Sequence, residues 1–352
     1  MPQYSQYPSL PRLAAKEIRL PMLDPDRPET IRLSVAETRE LGERALRRIG
    51  YPTDEATIIV DQLIDNALCG YRFASLPRIL AIAEDEKTGK PRTPISIVRE
   101  TPVSALIDGG NKVGYVAAYR GAEIAIAKAK ANGIALVGIH NSYYSGRNAY
   151  YVEQIVRAGL VAIHTASAKP HVLPPGGRKP ALGTNPFSIG FPSANGPVIY
   201  DIGTASLMWG EVLLMARLGE PLPPGTGFDA NGDATLDARA VADDGGVAPF
   251  GGHKGYGLSF AIQALGLLAG AALPNGNVQD YGFLFIAIDP VIMLPDFEAQ
   301  MSELVARIKA TPCQPGVEEI RIPSERAFRE RELRRIEGIV LDRKVVDALN
   351  AL

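Results

Sequence analysis

The stretch GGHKGYG, residues 251–257, is the most loop-like glycine cluster in the chain. Adjacent glycines let backbone amides turn toward an anion, Lys254 adds a positive charge, and a helix starting there favours negative charge as well. The natural guest of such a turn is a nucleotide phosphate; a plain tight turn before a helix is the alternative. The spacing is not that of a Walker A loop, and no G-x-G-x-x-G follows a strand with an acidic residue about twenty positions on. A second group, HNSYYSGRNAYY at 140–151, directly follows the apolar run GIALVGI. Ser, two Tyr, Gly and Arg at the end of a buried strand are placed for chemistry. Lys169, in ASAKPHVLPPGG, follows another buried strand. There it either carries surface charge or faces a pocket and binds an acidic substrate. The four histidines, His140, His164, His171 and His253, show no zinc spacing. FDANGD at 228–233 lacks the remaining oxygen ligands of a calcium loop and reads as a solvated turn. There is no G-x-S-x-G and no readable Cys/His arrangement.

These residues need a scaffold, and the patterning supplies one. Six prolines in residues 1–33 and little periodicity describe an extended arm that packs on something, such as a second subunit. SVAE at 34–37 is a capping box that opens a helix. A further helix spans 53–68, with Ile59, Leu63 and Ala67 recurring at i+4. AAYRGAEIAIAKAKANG is an Ala-rich helix closed by Gly133, and IALVGI reads as a strand buried on both faces. LVAIHTAS is another buried strand, and FLFIAIDP a strand before an amphipathic helix. The uncharged run at 255–274 reads as a buried helix rather than a membrane span, because it is rich in Gly and Ala and carries Ser259 and Gln263. The alternation is that of an α/β protein. The segments divide as an arm (1–33), a helical region contributing to the substrate site (34–100), a nucleotide-binding domain (101–275), and a C-terminal strand and helices packing back on the core (276–352).

The bulk numbers narrow the function. The chain has 352 residues, 46% apolar and 22% charged, with a net charge of −2. That balance argues against a nucleic-acid partner. Two cysteines, far apart and outside any metal-ligand spacing, fit a reducing compartment. With no signal-type apolar core at the N-terminus, the expectation is a cytoplasmic protein with no membrane association.

The motifs, in their order, resemble the malate/L-lactate dehydrogenase family of the sulfolactate dehydrogenase type. They are ALIDGGNKVGYVAA, NSYYSG, PPGGRKPALGTNPFSIGFP, YDIGTAS, DANGDATLD, GGHKGYGLSF and FLFIAIDP. Relatives include ureidoglycolate dehydrogenase, diketogulonate reductase and Δ1-piperideine-2-carboxylate reductase. The resemblance implies a non-Rossmann fold that binds NAD or NADP on a mostly antiparallel sheet, in a homodimer with active sites near the subunit interface. It makes Thr184, Asn185, Pro186, Gly252, His253, Lys254 and Gly255 candidate cofactor contacts, with Asp201 and Ser206 lining the same region. Lys169 matches a substrate-side lysine of some members. It implies no metal.

Two motifs depart from the family pattern. The strand-end N-S-x-H-x-G is NSYYSG here, so Tyr144 stands at the His position. The N-terminal S-H-G-x-x-R-L-P aligns with GYRFASLP, so Tyr71 replaces the His and Ser75 the Arg that holds a substrate carboxylate. Hydride transfer to a carbonyl needs a proton donor. A tyrosine, with an ordinary pKa near 10, can serve if a cation such as Lys169 or Arg72 stabilises its phenolate. Arg72 or Arg147 could take over anion binding. The expectation is an NAD(P)-dependent oxidoreductase acting on a small oxo or imino acid, or the matching hydroxy or amino compound. Tyr144, Lys169 and Tyr71 are its catalytic candidates, and Arg72, Arg147 and Ser142 its substrate contacts. The rival is a divergent member without dehydrogenase activity, acting as a non-redox enzyme or a cofactor-binding protein.

Overall fold

Residues 29–352 are described by a computed structural model of the chain. Most of the N-terminal arm expected over 1–33 lies outside them. Its end forms β1 (Thr30–Leu33), followed by α1 (Val35–Arg48), α2 (Thr53–Leu68) and α3 (Pro77–Glu84). The capping box closes as read: the Ser34 hydroxyl accepts from the Glu37 amide, and the Glu37 carboxylate accepts from the Ser34 amide. The α2 boundaries are those the periodicity predicts.

The main sheet is assembled from β2 (Ser96–Thr101), β3 (Ser104–Val113), β4 (Ile134–Tyr143), β5 (Val161–Ala166), β6 (Phe187–Phe191) and β7 (Val198–Ile202). Helices α4 (Gly114–Asn132) and α5 (Asn148–Arg157) lie between β3 and β4 and between β4 and β5. The chain then makes α6 (Trp209–Leu218), the short strands β8 (Gly227–Phe228) and β9 (Ala234–Thr235), α7 (Ala238–Asp244), β10 (Gly246–Val247) and α8 (His253–Leu268). It ends with β11 (Phe283–Ile288), α9 (Phe297–Lys309), α10 (Glu325–Glu337), β12 (Ile339–Asp342) and α11 (Arg343–Ala351). The seven strands run in the order β2-β3-β4-β11-β5-β6-β7, and only β3 and β4 are parallel. This is the mostly antiparallel, non-Rossmann α/β sheet expected from the motifs.

Alanines make the main packing seam. Ala117, Ala118, Ala122, Ala125 and Ala129 of α4 are all buried, so the helix lies close to the sheet. Two burial expectations need correction. β4 is not covered on both faces: Ile134 and Leu136 at its start are exposed. Nor is α8 a fully buried helix. Ser259, Ile262, Gln263 and Gly266 face inward, while Phe260 and Leu268 are 63% and 64% exposed. Composition without charge signals contact with something apolar, not which molecule supplies it. Among the described residues no helix is long and apolar enough to cross a membrane.

Charged helices meet behind the sheet. Arg331 of α10 grips Glu153 of α5 through two nitrogens, at 2.8 and 2.6 Å, and its Nε lies 3.0 Å from Asp65 of α2. Arg147 also pairs with Asp65 and donates to Asn66 Oδ1 at 2.7 Å.

Candidate active site

The site grows from the end of β4. Tyr143 is fully buried, and its hydroxyl lies 2.9 Å from Thr88 Oγ1 and 3.4 Å from that of Tyr51. Tyr144, next in the chain, takes φ 53°, in the left-handed region where a bulky residue is uncommon. Such a conformation costs about 1–3 kcal/mol and persists only where the surroundings impose it. Its ring faces a cavity of about 300 Å³, lined also by Tyr71, Phe73, Tyr115, Asp201, Trp209 and Phe283. A second, more open cavity of about 930 Å³ adjoins it, shares Tyr144, His171 and Trp209, and is bordered by Asp85, Glu86 and Lys169. His171 stacks on Trp209 at 3.7 Å.

Burial raises the pKa of the Tyr144 phenol, and the nearby Asp85 carboxylate raises it further, while Arg78 acts the other way. Asp85 itself pairs with the buried Lys87 ammonium at 3.6 Å. The phenolate expected at Tyr144 is therefore disfavoured, and the phenol stays protonated. Lys169 is shifted oppositely. Burial first, and then the Lys87 charge, lower its pKa, while Asp85, Glu86 and Asp280 act the other way. Tyr71 lines the first cavity with its pKa raised by burial, and Arg147 and Arg326 lie over its ring at 5.2 and 5.4 Å.

The cofactor candidates fall into two joined pieces. Thr184 and Pro186 line the cavity. Between them Asn185 is fully buried and donates to Ser259 O at 2.9 Å and Gln263 Oε1 at 3.0 Å. It thereby ties the 183–186 turn to α8. At the start of that helix, Gly252 is an N-cap without a side-chain hydrogen bond, and His253 and Lys254 are exposed. Gly255 cannot carry a side chain, since a Cβ would come within 1.9 Å of Phe250 O. Asp201 lines the cavity and accepts from the Ala149 amide at 3.0 Å; burial pushes its pKa up to about 6. Ser206 lies aside in a turn, its hydroxyl 3.4 Å from Thr226 O.

Three candidate substrate contacts are otherwise engaged. Arg72 is held by Asp342 at 2.7 and 3.0 Å and by Glu220 at 3.0 and 3.1 Å, and so ties the loop between α2 and α3 to the end of β12 and to the segment after α6. Arg147 touches the cavity, but its guanidinium is spent on Asp65 and Asn66. Ser142 is buried and donates to Lys112 O at 2.7 Å. The residue that sequence reasoning passed over is Arg78, in the first turn of α3, which lies in the cavity wall 5.1 Å above the Tyr144 ring. The signal was present: Arg78 follows Ser75 by three residues, one helical turn, immediately beyond the matched SLP.

Comparison with known proteins places the chain in a family. The family profile described as malate/L-lactate dehydrogenase matches residues 33–350. An L-sulfolactate dehydrogenase of Methanothermobacter thermautotrophicus is 36% identical over 332 residues, covering 91% of this chain and 95% of that protein. A Delta(1)-pyrroline-2-carboxylate reductase of Ancylobacter novellus is 34% identical over 341 residues, covering 92% and 98%. Among solved structures, a dehydrogenase from Sinorhizobium meliloti superposes with a TM-score of 0.84 at 30% identity, over 92% of this chain and 98% of that one.

Proposed function

Because the chain belongs to the malate/L-lactate dehydrogenase family, we propose that it is an NAD(P)-dependent oxidoreductase. It reduces a small oxo or imino acid, or oxidises the matching hydroxy or amino acid. The observation that carries this reading is the coupling of a cavity-lining turn to an open helix N-terminus through Asn185.

A nicotinamide nucleotide fits the residues present. Asn148 Oδ1 lines the same cavity, buried and without a donor, and would accept from a carboxamide. Gly252, His253, Lys254 and Gly255 offer amides and positive charge for phosphates. Thr184, Pro186 and Asp201 would line the nicotinamide side. When bound, the nicotinamide supplies or accepts the hydride. Lys169 then gives the proton to the carbonyl oxygen or imine nitrogen, or takes it in the reverse direction. Tyr144, kept protonated, donates a hydrogen bond that orients that atom, and Tyr71 closes the aromatic wall.

The exposed Phe260 and Leu268 of α8 support a homodimer, since a monomer would leave this uncharged helix face in water. Two unpaired cysteines, buried Cys69 and exposed Cys313, support a cytoplasmic location. The test is to mix the purified protein with NADH and with NADPH and follow nicotinamide fluorescence. Absorbance of the reduced cofactor is then followed with a panel of oxo and imino acids. Binding with turnover is expected; binding without turnover across the panel would favour a divergent, non-redox member.

A further inference from the structure

Resting on the oxidoreductase reading, we propose that Arg78 and Tyr115 form the carboxylate anchor of the cavity. The cavity then takes a monocarboxylic oxo or imino acid with an apolar remainder. Arg78 is half-buried in the cavity wall, and no carboxylate lies within 4.0 Å of it among the described residues. Its Nη2 lies against the bare Cα of Gly210, where a Cβ would approach to 2.0 Å. The fold thus leaves room for a guanidinium and gives it no counter-ion. Guanidinium groups in such a state are met by carboxylates, which they bind through paired N–H donors.

Tyr115 is the second, independent observation. It is 1% exposed and lines the same cavity, and its hydroxyl, close to the Arg78 guanidinium, has no acceptor for its proton. The Arg78 charge acts directly on that phenol. A buried donor without an acceptor is costly, and natural proteins rarely leave one unless a ligand completes it. One carboxylate satisfies both groups: it accepts from the guanidinium and from the Tyr115 hydroxyl.

The rest of the lining sets the substrate class. Phe73, Met208, Trp209 and Phe283 offer apolar surface. Arg147 is committed to Asp65 and Asn66. Burial keeps His171 neutral, its pKa lowered well below the ordinary value. Lys169 sits in the field of Asp85, Glu86 and Asp280. Lys169 borders the adjoining cavity rather than this one, so among the described residues a second carboxylate finds no further uncommitted cation in this lining, and malate-type dicarboxylates are poor ligands.

Trp209 is the chain's one tryptophan and lines the cavity, so its fluorescence reports occupancy. The full chain is titrated with pyrrole-2-carboxylate and with the uncharged pyrrole-2-carboxamide. The wild type is expected to prefer the carboxylate by about tenfold to a hundredfold, the range for a hydrogen bond to a charged group. Arg78→Gln abolishes the preference. Gly210→Ala, which crowds the guanidinium first and the Phe73 ring less, at 3.2 Å, reduces it in a folded protein. With Δ1-pyrroline-2-carboxylate as substrate, Arg78→Gln raises KM more than it lowers kcat. Equal quenching by the two compounds in the wild type, no quenching at all, or a preference that survives Arg78→Gln would overturn the anchor. Arg78-dependent binding with no turnover of either nucleotide on any acid leaves the anchor standing and removes the oxidoreductase reading instead.

Discussion

Two groups of cations, one at a junction of helices and one at the cavities, are treated differently by the structure. At the junction of α2, α5 and α10, Arg147 and Arg331 meet Asp65 and Glu153, and every charge has a partner. At the cavity, Arg78 and Lys169 have no carboxylate within 4.0 Å among the described residues. Arg147 and Arg331 are buried and Arg78 and Lys169 partly so, but what separates structure from function here is whether the partner is present. A buried charge whose partner is supplied by the fold locks helices together. One whose partner is missing is set aside for a ligand, and its pKa remains open to adjustment.

The contrast can be broken most sharply at Lys169. Lys169→Met should lower kcat by about 10²–10⁴-fold, the range for losing a general acid, while fluorescence titration shows unchanged nucleotide affinity. A variant that keeps its turnover would move the proton to another group. Arg331→Met should do the reverse. Removing one partner from a buried network costs about 3–5 kcal/mol, visible in urea unfolding, while KM and kcat of the surviving folded enzyme stay as they were.

Acid sharpens the comparison next. His164 stacks on Phe285 at 3.9 Å, and burial lowers its pKa to about 3; His171 is lowered in the same way. Both are neutral in the fold and bind protons when unfolded, so their contribution is present above pH ~6.5 and is lost as pH falls. Asp201 has the opposite sign, because its folded pKa lies above its unfolded one and its contribution fades as pH rises through about 6. From pH 7.5 to 5 the His164 imidazole should cost about 2 kcal/mol, His171 should add to the loss in the same direction, and Asp201 should return about 1 kcal/mol. Denaturant midpoints at the two pH values check the net loss, and a flat profile would contradict it. The smallest effect is expected at the tyrosine pair. Tyr144→Phe should slow turnover by about tenfold or less, as for one neutral hydrogen bond. Tyr143→Phe, in the core, should lower stability and leave the rate alone. Equal kinetic defects in both variants would show that the Tyr144 hydroxyl holds no special place at the reacting atom.

Local signals were legible wherever the cause is local. The Ser34 box, the limits of α2, the Gly133 cap and the β11 strand each depend on a few neighbouring residues. The motif resemblance extended this to the turn at 183–186 and the start of α8. What stayed hidden depends on distant partners. Arg72 looked available until Glu220 and Asp342 closed on it. Arg78 gained its place from Gly210 and Tyr115, far away in the chain. Strand pattern also could not tell that the start of β4 lies open, since an apolar run looks the same against a helix, a partner or water.

The position of β11 has a consequence for how the protein comes into being. It pairs with β4 on one side and β5 on the other, yet it is synthesised long after both. Until it emerges from the ribosome, those two strands carry unsatisfied edges that face one another across a gap, the kind of surface that recruits foreign strands. The sheet therefore cannot close during translation of its first six strands, and its completion waits on contacts between segments remote in sequence, which slows folding. A chain cut short before Phe283 should accumulate as aggregate rather than as a smaller folded domain.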